Sequence, residues 1–96
     1  MQDRSVHLQM CRERLDEWRV FIDRLEIRAE ALSGEERTKM REAIVALEHT
    51  IEEGEDCVSK TEEIDGGAWA AAKNDAQAAW NMVEAGFKKQ AEVYMG

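Results

Sequence analysis

Two histidine-containing patterns in this sequence combine residue types and spacings that could bind a metal ion. His7 and Cys11 are four positions apart, a spacing that places two zinc or copper ligands on one face of a helix. A structural zinc site needs four ligands, and the sequence offers no second pair at such a spacing. We therefore interpret Cys11 as a small apolar residue of a helix seam and keep weak metal binding as an alternative.

The second pattern is His49 within the carboxylate-rich string LEHTIEEGED. A ferritin-like di-iron site requires Glu-x-x-His on two helices. Ala46 and Arg4 occupy the positions three residues before His49 and His7, so neither histidine has the required glutamate. The pattern is typical of a solvated helix face, and weak divalent-cation binding near Glu52 is the alternative.

Nucleophilic catalysis needs a serine, threonine or cysteine beside an oriented base, and phosphate binding needs a glycine-rich loop with its lysine. The sequence shows neither pattern, since the pair Gly66-Gly67 lacks the spacing and the lysine. We therefore expect a protein that is not an enzyme, with no catalytic residue, no cofactor and no resident metal.

The elements that position these residues follow from three heptad-like patterns. In the first third, apolar residues recur at alternating steps of three and four, which is the seam of a coiled coil. This seam comprises Leu8, Cys11, Leu15, Trp18, Ile22, Leu25, Ala29 and Leu32.

The sequence LSGEER then separates two helices. Ser33 followed three residues later by Glu36 matches a capping box, in which the serine hydroxyl accepts from a free backbone N–H of the new helix. Because so few residues connect the helices, we predict that they fold back as an antiparallel hairpin.

A second seam runs through the acidic middle of the chain and weakens toward its end. It comprises Met40, Ile44, Leu47, Ile51, Gly54, Val58 and Thr61. Gly54, at a core position, is either a weak point or a place of close helix approach. Gly66-Gly67 predicts a turn or kink, with Asp65 placed to cap the helix that follows.

The third segment sets two tryptophans among alanines. Its apolar positions are Trp69, Ala72, Ala76, Trp80, Val83, Phe87, Ala91 and Tyr94. Trp69 and Trp80 are eleven residues apart, which is three helical turns, so both lie on one face with small residues between them.

These patterns predict an all-α fold: one domain, 1–96, with an antiparallel hairpin plus a third helix in a three-helix bundle or coiled coil. The predicted helices span about 3–32, 34–65 and 68–94. The predicted core and interaction residues are Leu15, Trp18, Ile22, Leu25, Ile44, Leu47, Ile51, Trp69, Trp80, Val83 and Phe87. The alternative joins the second and third helices in one rod through the glycines, with two or more chains supplying the missing contacts.

Charge and composition limit the partners. The formal net charge is -8, and residues 35–65 carry eleven acidic and four basic side chains. Such a surface repels phosphate, so we expect no nucleic-acid binding and weak attraction to anionic lipid. Cys11 and Cys57 form no disulfide framework, and the charged beginning of the chain resembles no signal peptide, which favours a cytoplasmic location.

Four sequence elements resemble a known family. Leu-Asp-Glu-Trp at 15–18, Ile-Asp-Arg-Leu-Glu at 22–26, Gly-Ala-Trp-Ala-Ala-Ala-Lys at 67–73 and Ala-Ala-Trp at 78–80 are similar to small bacterial coiled-coil proteins. The resemblance covers nearly the whole chain in the same order. It implies a small helical protein without an assigned activity, and no catalytic residue.

For function, the seams favour a non-enzymatic interaction or scaffold protein that forms a homo-oligomer, a dimer or tetramer, and whose protein partner is unknown. The aromatic and nearly neutral third segment supports an alternative, an amphipathic protein of the membrane surface or of the envelope stress response. A weak metal-binding protein is the third hypothesis, and it rests on His7, Cys11 and the Glu52 region.

Overall fold

The computed structural model describes residues 4–94 and contains three long helices. Helix α1 spans Arg4–Ala31, α2 spans Gly34–Glu62 and α3 spans Trp69–Ala91. Short 3-10 helices precede and follow α3, at Gly66–Ala68 and Glu92–Tyr94, and the described residues contain no strand. The predicted all-α three-helix bundle is confirmed, while the predicted first helical residue, at position 3, lies outside the described residues.

The helices run up, down and up, so α1 and α3 are parallel and α2 is antiparallel to both. The bundle is elongated, with extents of 54 × 22 × 17 Å and a radius of gyration of 15.8 Å. A spherical domain of this length has a radius of gyration of about 12 Å. The molecule is therefore a rod whose surface consists mainly of helix faces.

The reversal between α1 and α2 depends on Gly34, whose φ of 62° lies in the left-handed region that favours glycine. The predicted capping box is wrong. Ser33 occupies the N-cap position in an extended conformation, but its hydroxyl makes no capping hydrogen bond. On the other side of the turn, Arg37 of α2 donates to the carbonyl groups of Ala29 and Glu30, at 3.3 and 3.4 Å, and so satisfies the end of α1.

The helix is interrupted between α2 and α3, so the alternative of one continuous helical rod is wrong. Helix α2 ends at Glu62 rather than at residue 65. The expected cap by the Asp65 side chain is absent, and only its backbone carbonyl accepts a bond, from Ala68 N at 2.8 Å. Arg4 of α1 donates to the carbonyls of Glu62 and Ile64 and so ties the end of α2 to the start of α1.

The three seams face one another inside one chain. Leu25, Leu47 and Trp80 are the largest fully buried side chains. Of the predicted core set, Leu15, Trp18, Ile22, Leu25, Ile44, Leu47, Ile51, Trp69, Trp80 and Phe87 are buried, and Val83 is half-buried. These side chains are therefore not available to a second copy as long as the bundle stays closed.

Gly54 lies where α2 packs closely against both α1 and α3. A Cβ atom added there would lie 2.9 Å from Leu15 Cδ2 on α1 and 3.3 Å from Trp80 Cζ3 on α3. Both distances are shorter than ordinary van der Waals contact between carbon atoms. Of the two roles considered for Gly54 from the sequence, the structure shows the close helix approach.

Candidate interaction surface

An aromatic cluster joins α1 to α3. Trp18 stacks on Phe87 with ring centroids 4.3 Å apart and on Trp80 at 5.5 Å, with interplanar angles of 8° and 5°. Phe21 meets Phe87 edge to face at 6.1 Å. Aromatic pairs in these geometries add about 0.5–1.5 kcal/mol beyond the area they bury. The cluster therefore fixes both the distance and the rotation of α3 relative to α1.

The same contacts turn the aromatic face of α3 inward. Trp69, Trp80 and Phe87 are all buried, and Tyr94 is half-buried. The closed bundle therefore does not expose the aromatic face that the membrane-surface hypothesis places against lipid. Among residues 4–94, no helix combines the length and the apolar character needed to cross a bilayer.

Trp80 has one unpaired polar atom. Its indole Nε1 is buried and has no hydrogen-bond partner among the described residues. Leaving such a donor unpaired costs about 1–3 kcal/mol. The large stacking and burial area of Trp80 offsets this cost, so the side chain is held by shape rather than by a hydrogen bond.

His7, Cys11 and Trp69 meet at one end of the bundle. Cys11 Sγ lies 3.6 Å from His7 Nε2, and the His7 ring centroid lies 5.6 Å from that of Trp69. Burial lowers the pKa of His7, and burial together with the nearby Cys57 raises the pKa of Cys11 to about 11. The imidazole is therefore held neutral and the thiol protonated at neutral pH, which is a packing contact and not an activated nucleophile.

Trp69 lies beside His7 and outside the continuous core cluster that contains Trp18 and Trp80. The sequence predicted all three tryptophans as the largest members of one core. The spacing showed that Trp69 and Trp80 share a face, but His7, which contacts Trp69, was considered only as a candidate metal ligand.

The second histidine pattern is on the surface. His49 Nδ1 lies 3.8 Å from Glu52 Oε2, and about 72% and 73% of the two side chains are exposed. In the part of the chain that the structure describes, no three His, Cys, Asp or Glu side chains are grouped so that they could hold a metal ion. Both cysteines are free, and burial raises the pKa of the half-buried Cys57 as well.

The charged side chains are divided unequally among the helices. Helix α2 carries nine acidic and four basic side chains, whereas α3 carries two and three. Arg12 and Arg19 of α1 pair with Glu62 and Glu55 across the rim of the α1–α2 contact. The groove between α1 and α2 is lined by further carboxylates, including Asp23, Glu26 and Glu48.

The remaining surface of interest is the side of α3 that points away from the bundle. We call it the outer face of α3 and define it by seven exposed residues: Ala71, Asp75, Ala78, Ala79, Met82, Ala85 and Lys89. Met82 is 77% exposed, and Val93, just beyond the helix, is 78% exposed, the highest values among the exposed large hydrophobic side chains. This face was not among the core and interaction residues predicted from the sequence, although alanines at a seven-residue spacing, at 71, 78 and 85, were a visible signal.

Comparison of the chain with protein-family models, with curated proteins and with solved structures finds no match.

Proposed function

We propose that this chain is a non-enzymatic helical interaction protein that assembles with copies of itself. The observation that carries the proposal is the contrast between the two sides of α3. The inner side is locked into the core by Trp80 and Phe87, whereas the outer face exposes Met82 among small residues. Exposed apolar side chains grouped on a surface are typical of binding sites.

The charge distribution favours self-association at α3 over self-association at α2. Two copies that met through α2 would bring together two surfaces with a strong excess of carboxylates. Like charges in an interface cost several kcal/mol. Helix α3 is nearly neutral, so two copies can approach there without this cost.

We place the protein, as part of the same proposal, in a bacterial cytoplasm. Two free cysteines, one buried and one half-buried, suit a reducing compartment. The four sequence elements between residues 15 and 80 resemble bacterial coiled-coil proteins, which agrees with this setting. The bundle with its exposed Met82 then acts as a scaffold element whose assembly depends on its concentration.

The test is the absolute mass in solution, measured by light scattering after size exclusion over a hundredfold range of concentration. The chain mass is 11.0 kDa, and we expect the measured mass to rise from that value toward twice that value. An 11.0 kDa species at every concentration would overturn the proposal. Co-sedimentation with phospholipid vesicles, measured in parallel, would instead support the membrane-surface alternative.

A further inference from the structure

From the residues on the outer face of α3, we infer that the partner of this face is the same face of a second copy, paired antiparallel about a two-fold axis at Met82. This inference rests on the proposed self-association and specifies its geometry. In a two-fold interface the same patch is used by both copies, so the patch must be complementary to itself. The order of residues along α3 meets this condition.

The charges on the outer face are placed symmetrically about Met82. Asp75 lies seven residues before Met82 and Lys89 lies seven residues after it. In an antiparallel pair centred on Met82, Asp75 of each copy therefore faces Lys89 of the other. Neither side chain forms an ion pair with another residue in the range 4–94, so both charges are free to pair between copies.

The uncharged positions follow the same symmetry. Ala79 and Ala85 lie three residues on either side of Met82, and Ala71 and Val93 lie eleven residues on either side. Small side chains near the centre let two helices approach closely, and the flexible Met82 side chains fill the space between them at the axis. The exposed Val93 covers the alanine at the other end of the partner helix.

Two other arrangements of two copies bring like charges together. A parallel pairing of the two α3 helices places Asp75 against Asp75 and Lys89 against Lys89, which is unfavourable. Pairing through the α1–α2 groove brings together carboxylates such as Glu26 and Glu48 from both copies. Of these three arrangements, the antiparallel α3 pair is the one in which both the charges and the small residues match.

One helix of 23 residues per copy forms an interface at the small end of the range for specific complexes. We therefore expect a dissociation constant on the order of micromolar rather than nanomolar. The concentration range of the experiment must extend above and below this value.

The experiment is a charge-reversal cycle on the full chain, with the dissociation constant measured by analytical ultracentrifugation. Asp75→Lys and Lys89→Asp each place like charges opposite one another in the antiparallel pair. We expect either single variant to weaken dimerisation by at least about tenfold, because two attractive pairs per dimer become repulsive. The double variant restores both pairs, and we expect its affinity within about threefold of the original chain.

Two further variants control for net charge and for general surface changes. Glu53→Lys, on exposed α2, changes the net charge as much as Asp75→Lys and is expected to leave dimerisation no weaker. Met82→Glu is expected to abolish it, whereas Ile27→Glu, at a side chain 68% exposed on α1, is expected to leave it intact. Circular dichroism confirms that each variant remains folded, since all these positions are exposed.

The outcomes separate this inference from the proposed function. A dimer that is unaffected by the single reversals and by Met82→Glu would overturn the α3 pairing and leave self-association through another surface. A double variant as weak as the single variants would also overturn it. A chain that is monomeric at every concentration would remove both the pairing and the proposed function.

Discussion

Helix α1 makes two contacts that differ in kind. It meets α2 through aliphatic seam residues such as Ile22 and Leu25, with ion pairs such as Arg19–Glu55 along the rim. It meets α3 through the aromatic stack of Trp18 on Phe87 and Trp80. Aliphatic contacts are non-directional, whereas stacked rings constrain distance and rotation. The aromatic contact therefore fixes which face of α3 remains outside.

The largest expected effect comes from breaking the aromatic contact. Trp18→Ala removes the ring that stacks on both Phe87 and Trp80, and we expect it to lower the free energy of unfolding by about 3–5 kcal/mol. Ile22→Val, which removes one methylene group from a buried side chain beside α2, gives the scale of a small truncation in the aliphatic contact and costs about 0.5–1.5 kcal/mol. Urea denaturation measures both, and equal losses would contradict the distinction between the two contacts.

The junction at Gly54 provides a sharper test, because a Cβ atom there would meet both Leu15 of the α1–α2 contact and Trp80 of the aromatic stack. Gly54→Ala forces a methyl group toward Leu15 Cδ2, at 2.9 Å, and overpacking of this kind costs about 1–3 kcal/mol. The gain in helix propensity of up to about 1 kcal/mol offsets part of that cost.

A double-mutant cycle isolates the clash at this junction. In a Leu15→Ala background the clashing Cδ2 is absent, so Gly54→Ala should become less destabilising there, with the 3.3 Å approach to Trp80 Cζ3 remaining. A Gly54→Ala effect that is the same in both backgrounds would show that Leu15 is not the obstructing group.

The contact between His7 and Trp69, at one end of the α1–α3 interface, predicts that the stability of the fold depends on pH. Burial against Trp69 lowers the pKa of His7, so the unfolded chain binds a proton more readily than the folded one. Stability is therefore full above the unfolded-state pKa of about 6.5 and declines as the pH falls through that value.

His7→Phe keeps the ring contact and removes the titration, so thermal melts between pH 7.5 and 5.5 should show a weaker decline than the original chain shows. His49→Gln, at an exposed position, is the matched control and should retain the decline. A decline of the same size in His7→Phe would mean that other groups cause it.

The smallest effect is expected at the rim of the α1–α2 contact. Arg19 and Glu55 pair across this rim, and both side chains are about half exposed, 44% and 51%. Exposed pairs of this kind contribute about 0.2–1 kcal/mol and weaken in salt. Glu55→Gln should therefore cost less than Ile22→Val, and its effect should shrink when denaturation is repeated in 1 M salt. A loss of several kcal/mol would show that this ion pair contributes more to the stability of the α1–α2 contact than we expect.

The spacing of apolar residues determined the helices of this protein by itself. Steps of three and four can bury one stripe only in a helix, and this fixed the three segments, their seams and the burial of residues such as Leu25, Leu47 and Trp80. Glycines at 34, 66 and 67 located the reversals, because helices tolerate glycine poorly.

Only the tertiary structure decided how the helix ends are satisfied and which partner each seam residue meets. Ser33 and Asp65 matched capping patterns but make no capping hydrogen bond. Arg37 on the next helix and Arg4, 58 residues before Glu62, bond to the free carbonyls at the ends of α1 and α2. A local pattern cannot show hydrogen bonds donated by long side chains of a neighbouring helix. Local patterns also could not show that Trp69 contacts His7, because this contact depends on the parallel placement of α1 and α3. The outer face of α3 likewise depends on the tertiary structure, since it is defined only when Trp80 and Phe87 are buried on the opposite side.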